Sequence, residues 1–284
     1  MNRGFKKILH ALAFPFVALS LGLLLTSANR KAKKYKTDPS SMPIEKRYGY
    51  VYKLVKRASF LLGNTVYASG LSNCPKVPAL YVINHKSLMD GLLIYKLLWE
   101  NGDIPYFKII AKGELGKSRF ASIMSLIDAI LIDRHNVRDT AELFKEEIQP
   151  FIDKKSFVIF PEGTRVYDPE VFGDFHPGSF KIALNHYMQV VPVVIYGSSG
   201  TGIKENKQYL NKNRQIFVSF LPPYKASHFM TSNAVNLADD IKNRMFIEYT
   251  RIETIVKEQS NKYVKDPHLV FENIDNMKEK EKRK

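Results

Sequence analysis

Six short apolar runs constrain this chain most. Residues 79–83, 107–111, 129–133, 156–160, 190–196 and 215–220 are rich in β-branched and aromatic side chains and are bounded by polar or turn-forming ones. Between and after them lie stretches with apolar residues at helical spacing: 88–99, 138–152, 179–186 and a long one, 233–257, with Leu237, Ile241, Met245, Tyr249, Ile252 and Val256 on one stripe. A strand that is apolar along its whole length needs cover on both faces, and strand–helix alternation supplies it. The expectation is an α/β fold, with a largely parallel or mixed central sheet flanked by helices. Pro192 cannot donate to a ladder, which places it at an edge or a bulge. With 284 residues, 45% of them hydrophobic, there is material for a sizeable core.

Ahead of this pattern, residues 8–25 carry no charge. As a helix they reach about 27 Å, against a bilayer hydrocarbon core of about 30 Å. Arg3, Lys6 and Lys7 precede the run, and Arg30, Lys31, Lys33, Lys34 and Lys36 follow it. A cleaved signal peptide competes, since Thr26-Ser27-Ala28 offers small residues at a cleavage position. The dense basic cluster behind the run opposes translocation, and the heavier positive flank marks the cytoplasmic side. Residues 1–36 are therefore expected to be a retained N-terminal membrane-anchoring helical segment, with the body at the cell membrane facing the cytoplasm. Pro15 and His10 weaken a straight span, so crossing the bilayer and lying in its interface both stay open.

Residues 34–43 read as a polar linker. Residues 44–62 read as a basic amphipathic helix, either on the membrane surface or packed on the domain with a solvated basic face. The expected division is an anchor over 1–36, linker and amphipathic helix over 37–76, an α/β domain over 77–265, and a charged, disordered tail over 266–284.

Lysine and arginine number 43 and aspartate and glutamate 28, a formal charge of +15. Such a surface seeks an anionic membrane, a phosphorylated substrate or nucleic acid. The basic residues are spread along the chain without a nucleic-acid-binding motif, so nucleic acid is not an expected partner. The single cysteine, Cys74, excludes an intramolecular disulfide and a multi-cysteine zinc site. No zinc-ligand spacing such as H-E-x-x-H appears, and neither a G-x-S-x-G elbow nor a P-loop is present, so neither a metal nor a serine acyl-enzyme is expected.

Chemistry is concentrated at strand ends. Asn84 and His85 close the first run, and Ser87 followed by Asp90 is a capping-box pattern that starts a helix at Leu88. A histidine at a strand end facing a carboxylate can serve as an oriented general base, although helix capping and a loop histidine account for this stretch taken alone. The fourth run ends in Phe160-Pro161-Glu162-Gly163-Thr164-Arg165. Proline stops the strand, glycine allows a tight turn, and an arginine so displayed suits bidentate phosphate binding, or else a surface ion pair with the glutamate. Lys112 and Arg134 follow two other predicted strands and are placed to face the same crevice.

Asn84-His85-x-Ser87-x-x-Asp90 followed by Phe160-Pro-Glu-Gly-Thr-Arg165 resembles the 1-acyl-sn-glycerol-3-phosphate acyltransferase (lysophosphatidic acid acyltransferase) family. Lys112-x-Glu114-Leu115 with Ile132-Asp133-Arg134 matches both ends of that family's second block. Its middle departs, with Gly116-Lys-Ser-Arg-Phe-Ala-Ser122 in place of a proline and aromatic-glycine segment. Pro177-Gly-Ser-Phe-Lys181 and Val190-Val-Pro-Val193 resemble the fourth block and the segment before it. The resemblance spans roughly residues 77–220. It implies transfer of a fatty acyl group from an acyl carrier protein or coenzyme A thioester, a co-substrate and not a bound cofactor, to the sn-2 hydroxyl of lysophosphatidic acid. His85 and Asp90 would be catalytic, and Lys112, Arg134, Glu162, Gly163, Thr164 and Arg165 would hold the acceptor. A related acyltransferase with another lysophospholipid acceptor is one alternative, and a non-catalytic membrane-anchored protein that binds anionic lipid is another. The resemblance also tips the 44–62 helix toward the membrane surface.

Overall fold

The computed structural model describes residues 3–102, 106–132, 144–202, 205–209 and 214–258. Seven strands form one sheet: β1 (Thr65–Ser69), β2 (Leu80–Ile83), β3 (Phe107–Lys112), β4 (Ile130–Ile132), β5 (Ser156–Ile159), β6 (Val190–Tyr196) and β7 (Gln215–Phe220). Their spatial order is β1-β7-β6-β2-β5-β3-β4. All neighbouring pairs are parallel except β6 with β7, so the sheet is mixed. Six strands lie where their apolar runs put them. The apolar pattern does not mark β1, a short half-buried strand that pairs with β7, so the sheet begins at residue 65, before the expected boundary at 77.

Period-2 alternation divides each central strand between two cores. Tyr81 and Ile83 of β2 and Val191, Val193 and Ile195 of β6 face one side; Leu80, Val82, Val190 and Val194 face the other. The first side is covered by α1 (Arg3–Thr37), α2 (Ile44–Leu62), α3 (Met89–Asn101) and the short α4 (Ala121–Leu126). The second is covered by the long helix α6 (Ala234–Glu258), which buries Leu237, Ile241, Met245, Tyr249 and Ile252, four of the five fully excluded from solvent. Between β5 and β6 lies α5 (Lys181–His186), entered through a 3₁₀ turn at Pro177–Phe180. Pro192 sits on an interior strand, opposite a bulge: two residues of β6 between Val193↔Phe220 and Val190↔Tyr224 face three on the returning chain.

Three expectations change at the N-terminus and middle. The helix at 44–62 is packed on the domain along one face, the second of the two arrangements its pattern allows. Tyr48, Val51, Leu54 and Val55 are buried against α1, α3 and α4, and Arg47 is buried with them. The polar linker is shorter than expected, because α1 continues through the basic cluster to Thr37. Helix 138–152 falls partly outside the described residues; its described part is a single wide turn, Phe144–Ile148, followed by the 3₁₀ turn Gln149–Phe151. The tail at 266–284 lies outside the described residues.

Candidate active site

β2 is the point where the chain switches direction across the sheet: β5 and β3 lie to one side of it and β6 to the other. Ligand sites of open α/β sheets form at the carboxyl ends of strands at such a switch. Here the ends of β2, β5 and β6 are tied together by buried polar groups. Asn84, fully buried, donates from Nδ2 to the Ile195 carbonyl (2.9 Å) and accepts from the Ile195 N–H (2.8 Å), continuing the β2–β6 ladder with a side chain.

His85 follows, and both of its backbone polar groups are held by the block after β5. Its N–H donates to Glu162 Oε2 (3.0 Å), and its carbonyl accepts from the Val166 N–H (2.8 Å). Its ring lies against Phe160, centroids 4.3 Å apart, and Nδ1 is 3.0 Å from Asp90 Oδ2. The same Asp90 oxygen accepts from the Lys86 and Ser87 N–H groups, both at 2.7 Å, while Ser87 Oγ accepts from the Met89 N–H. Helix capping and an oriented histidine are thus one structure. The carboxylate that closes the start of α3, one residue later than expected, is also the one that faces the imidazole. With Nδ1 engaged, Nε2 is the ring nitrogen left for a substrate.

His85 opens on a cavity of about 1340 Å³. Its wall includes Leu88, which precedes α3, with Gly91, Leu92 and Tyr95 of α3, Val51 and Val55 of α2, and Ile123 and Met124 of α4. Ile130, Ile148 and Ile182, which belong to the core on the other side of the sheet, line it too, as does His186. Lys112, Gly163, Thr164 and Arg165 line the same cavity as His85, and Lys181 joins them. Gly163 adopts φ +69°, in the left-handed region that its tight turn after Phe160 demands. Arg134 lies outside the described residues.

Glu162 departs from its expected place. It is 4% exposed, does not line the cavity, and holds the His85 backbone from behind, while Arg165 approaches Glu205 (3.9 Å). Burial pushes its carboxyl up to about 7, against the opposing pull of the His85 N–H and the Lys86 ammonium.

Two residues that no motif singles out complete the assembly. Lys86 is fully buried; its ammonium reaches the Asp168 carbonyl (2.8 Å) and the Val171 carbonyl, above the Tyr249 ring (5.2 Å). Burial lowers its pKa, and Glu162 and Asp168 pull it back up. It ties the segment beyond Arg165 to the residue beside His85. Glu205, from the stretch 198–213 that reads as a polar loop, binds Ser87 and the Leu88 N–H. No sequence pattern marks Lys86; the Gly-Ser-Ser-Gly-Thr-Gly run at 197–202 is the available sign that this loop packs closely.

Residues 65–196 match the family model described as Acyltransferase. A Mycoplasma pneumoniae protein named "Probable 1-acyl-sn-glycerol-3-phosphate acyltransferase" is 33% identical over 242 residues, 83% of this chain and 90% of that one. The 1-acyl-sn-glycerol-3-phosphate acyltransferase of Borreliella burgdorferi is 27% identical over 206 residues, 71% of this chain and 77% of that one. Among solved structures, the crystal structure of the 1-acyl-sn-glycerophosphate acyltransferase of Thermotoga maritima matches with a TM-score of 0.60 at 24% identity, covering 89% of this chain and 98% of that one; this likeness speaks for the fold. Fold, strand-end site and family model define an acyltransferase. Within that class, the chain belongs to the 1-acyl-sn-glycerol-3-phosphate acyltransferase family.

Proposed function

We propose that the protein transfers a fatty acyl group from an acyl thioester to the sn-2 hydroxyl of 1-acyl-sn-glycerol 3-phosphate, giving phosphatidic acid. The observation that carries this reading is the His85–Asp90 pair opening on a large, mostly apolar cavity whose lining also holds Arg165 and Lys112. The acceptor hydroxyl attacks the thioester carbonyl carbon while His85 Nε2 takes its proton. The tetrahedral intermediate collapses with loss of the thiolate, which takes the proton back from the imidazolium and leaves as a thiol. Asp90, bonded to Nδ1, keeps the ring in the tautomer that bares Nε2 and stabilises the imidazolium. Arg165, Lys112, Thr164 and the Gly163 turn take the acceptor's phosphate; the guanidinium supplies a fork and the ammonium a point charge. Glu162 fixes the backbone of His85. The apolar wall takes acyl chain.

Membrane attachment falls to α1, the one helix among the described residues long and apolar enough to cross a bilayer. Leu12, Phe16, Leu19 and Leu23 are exposed along one row. Its other side lies along α2: His10 Nε2 is 2.7 Å from the Phe60 carbonyl, Arg57 reaches Ser20, and Tyr50 reaches the Leu24 carbonyl. A crossing α1 would carry the exposed Lys53 and Lys56 of α2 into hydrocarbon. This geometry favours a helix half-sunk in the cytoplasmic face of the membrane, with Arg30–Lys36 against anionic headgroups.

The test is direct. Full-length protein in vesicles is given lysophosphatidic acid with acyl-coenzyme A or acyl-acyl carrier protein, and phosphatidic acid and free thiol are measured. Equal amounts of both are expected with at least one donor. No transfer from either donor, or a strong preference for another lysophospholipid such as lysophosphatidylglycerol, overturns the reading.

A further inference from the structure

One buried carboxylate at the rim has no part in the chemistry above. The Glu205 side chain is 2% exposed, and three donors converge on it besides a guanidinium. Oε2 accepts from Ser87 Oγ and from the Gly202 N–H, both at 2.9 Å; Oε1 accepts from the Leu88 N–H at 2.7 Å. The loop is shaped for this. A Cβ at Gly202 would stand 2.4 Å from Oε1, so only glycine admits the carboxylate there. Lys207 pins the Gly200 and Gly202 carbonyls at 2.9 and 3.0 Å, closing the loop on itself.

The fourth donor, Arg165 Nη1, stands at 3.9 Å. Its side chain is 37% exposed, and its other close neighbour among the described residues is the Tyr167 ring at 5.3 Å. The partnership is therefore asymmetric. Glu205 is anchored by Ser87, Leu88 and Gly202 without any help from Arg165, whereas Arg165 has Glu205 as its charged neighbour among the described residues. A fixed, buried charge beside a half-exposed flexible one sets the direction of the flexible one, since attraction is stronger away from water. The same carboxylate satisfies an N–H at the start of α3, whose first turn carries Asp90.

We propose that Glu205 is a positioning residue for acyl transfer: it fixes the start of α3 behind the His85–Asp90 pair and aims the Arg165 guanidinium at the acceptor's phosphate. The inference rests on the reading of Arg165 as a phosphate ligand. Without Glu205 the guanidinium samples several rotamers, and the acceptor must order it on binding. A glutamine at 205 keeps the shape but loses the charge, and presents an amide N–H₂ to one of the converging donors.

The experiment uses full-length protein in detergent–lipid micelles, with acceptor KM and kcat measured for wild type, Glu205→Gln, Arg165→Ala and the double variant. Glu205→Gln should raise acceptor KM about tenfold with Arg165 in place, and less than twofold when Arg165 is already alanine. Turnover should fall severalfold in both backgrounds, through α3. Gly202→Ala displaces the carboxylate without deleting it and should give the same Arg165-dependent rise, which keeps the test available if Glu205→Gln does not fold. Equal KM changes in both backgrounds, or none in either, reduce Glu205 to a helix cap and overturn the inference. An unchanged acceptor KM in Arg165→Ala overturns it together with the phosphate assignment. Wild-type turnover on lysophosphatidic acid tests the function by itself, so the two failures are told apart.

Discussion

Two of the regions of this molecule that bury charge differ in how completely it is paired. Where the α1–α2 pair meets the domain, Arg47 donates from Nε to the Met42 carbonyl, from Nη1 to the Leu126 carbonyl and Asp128 Oδ1, and from Nη2 to Asp128 Oδ2. Tyr35 donates to the same carboxylate and lies under the guanidinium, 3.9 Å from its ring centroid. Every arm of that ion pair is used by the chain itself. At the strand-end rim, Asp90 Oδ1 and Glu162 Oε1 are buried with no hydrogen-bond partner among the described residues, and burial holds the Glu162 carboxyl near neutrality. A finished ion pair fixes one piece of structure to another. Unspent polar capacity beside a cavity is what chemistry needs. Lesions in the two regions should therefore show in different measurements.

The largest effect is expected at the rim. Replacing His85 by alanine removes the proposed proton acceptor, and turnover should fall by about 10²–10⁴ while thermal unfolding and membrane attachment stay as in wild type. Asp90→Asn should lose much of the same activity, and the pair of changes should cost little more than His85→Ala alone, because the two act as one unit. Asp90 also accepts the Lys86 and Ser87 N–H groups, so unfolding is measured beside turnover. A folded His85→Ala protein with near-normal transfer erases the distinction between the regions.

The complementary lesion is Arg47→Met. It leaves Asp128 with Tyr35 and the more distant Lys155 (3.8 Å) as partners and should cost about 3–5 kcal/mol of stability. Adding Asp128→Leu should recover most of that loss, since a buried pair is replaceable by apolar side chains where a half pair is not. Turnover per folded molecule, measured well below the melting transition, should stay within a few-fold of wild type. A loss of turnover without a loss of stability would show that the pair belongs to the site after all.

Part of this contrast is legible in the amino-acid sequence. The apolar runs locate six strands because a doubly covered strand is apolar throughout, a signal that survives without knowledge of its neighbours. β1 escapes because Thr65–Ser69 is only half buried and borders the sheet, where composition carries little information. The His85–Asp90 pair is readable because five residues across a strand-to-helix turn fix the geometry locally. Glu162, Lys86 and Glu205 are not readable in that way. Their roles arise where β2, β5 and β6 end side by side, from contacts across 77 to 118 residues of chain. The resemblance carries Glu162 into the site by pattern, but only the packing turns its carboxylate from substrate to the His85 backbone. The charge of α2 misleads for a related reason: Arg47 looks like its basic neighbours in sequence and becomes a buried anchor only through Asp128.

The smallest expected effect concerns Glu162 and sharpens the comparison through pH. In the unfolded chain this carboxyl titrates near 4.5; in the folded protein burial raises it to about 7. Between those values the folded state holds a proton that the unfolded state has released, so stability falls as pH rises through the window and levels off above it. The full shift corresponds to a loss on the order of 3 kcal/mol, an upper bound because the protein around a buried charge relaxes to accommodate it. Glutamine at 162 has no proton to lose, and its amide oxygen can still accept from the His85 N–H. The stability of Glu162→Gln relative to wild type should therefore improve steadily from pH 4.5 to 7 and then stay constant, as read from denaturant midpoints at four or five pH values. Turnover near pH 7.5 should change by less than about tenfold, because the backbone of His85 keeps its acceptor, whereas Glu162→Leu, which removes that acceptor, should lose considerably more. A stability difference between Glu162→Gln and wild type that does not vary with pH would mean that Glu162 is ionised throughout, and that this part of the rim is as fully compensated as Arg47 and Asp128.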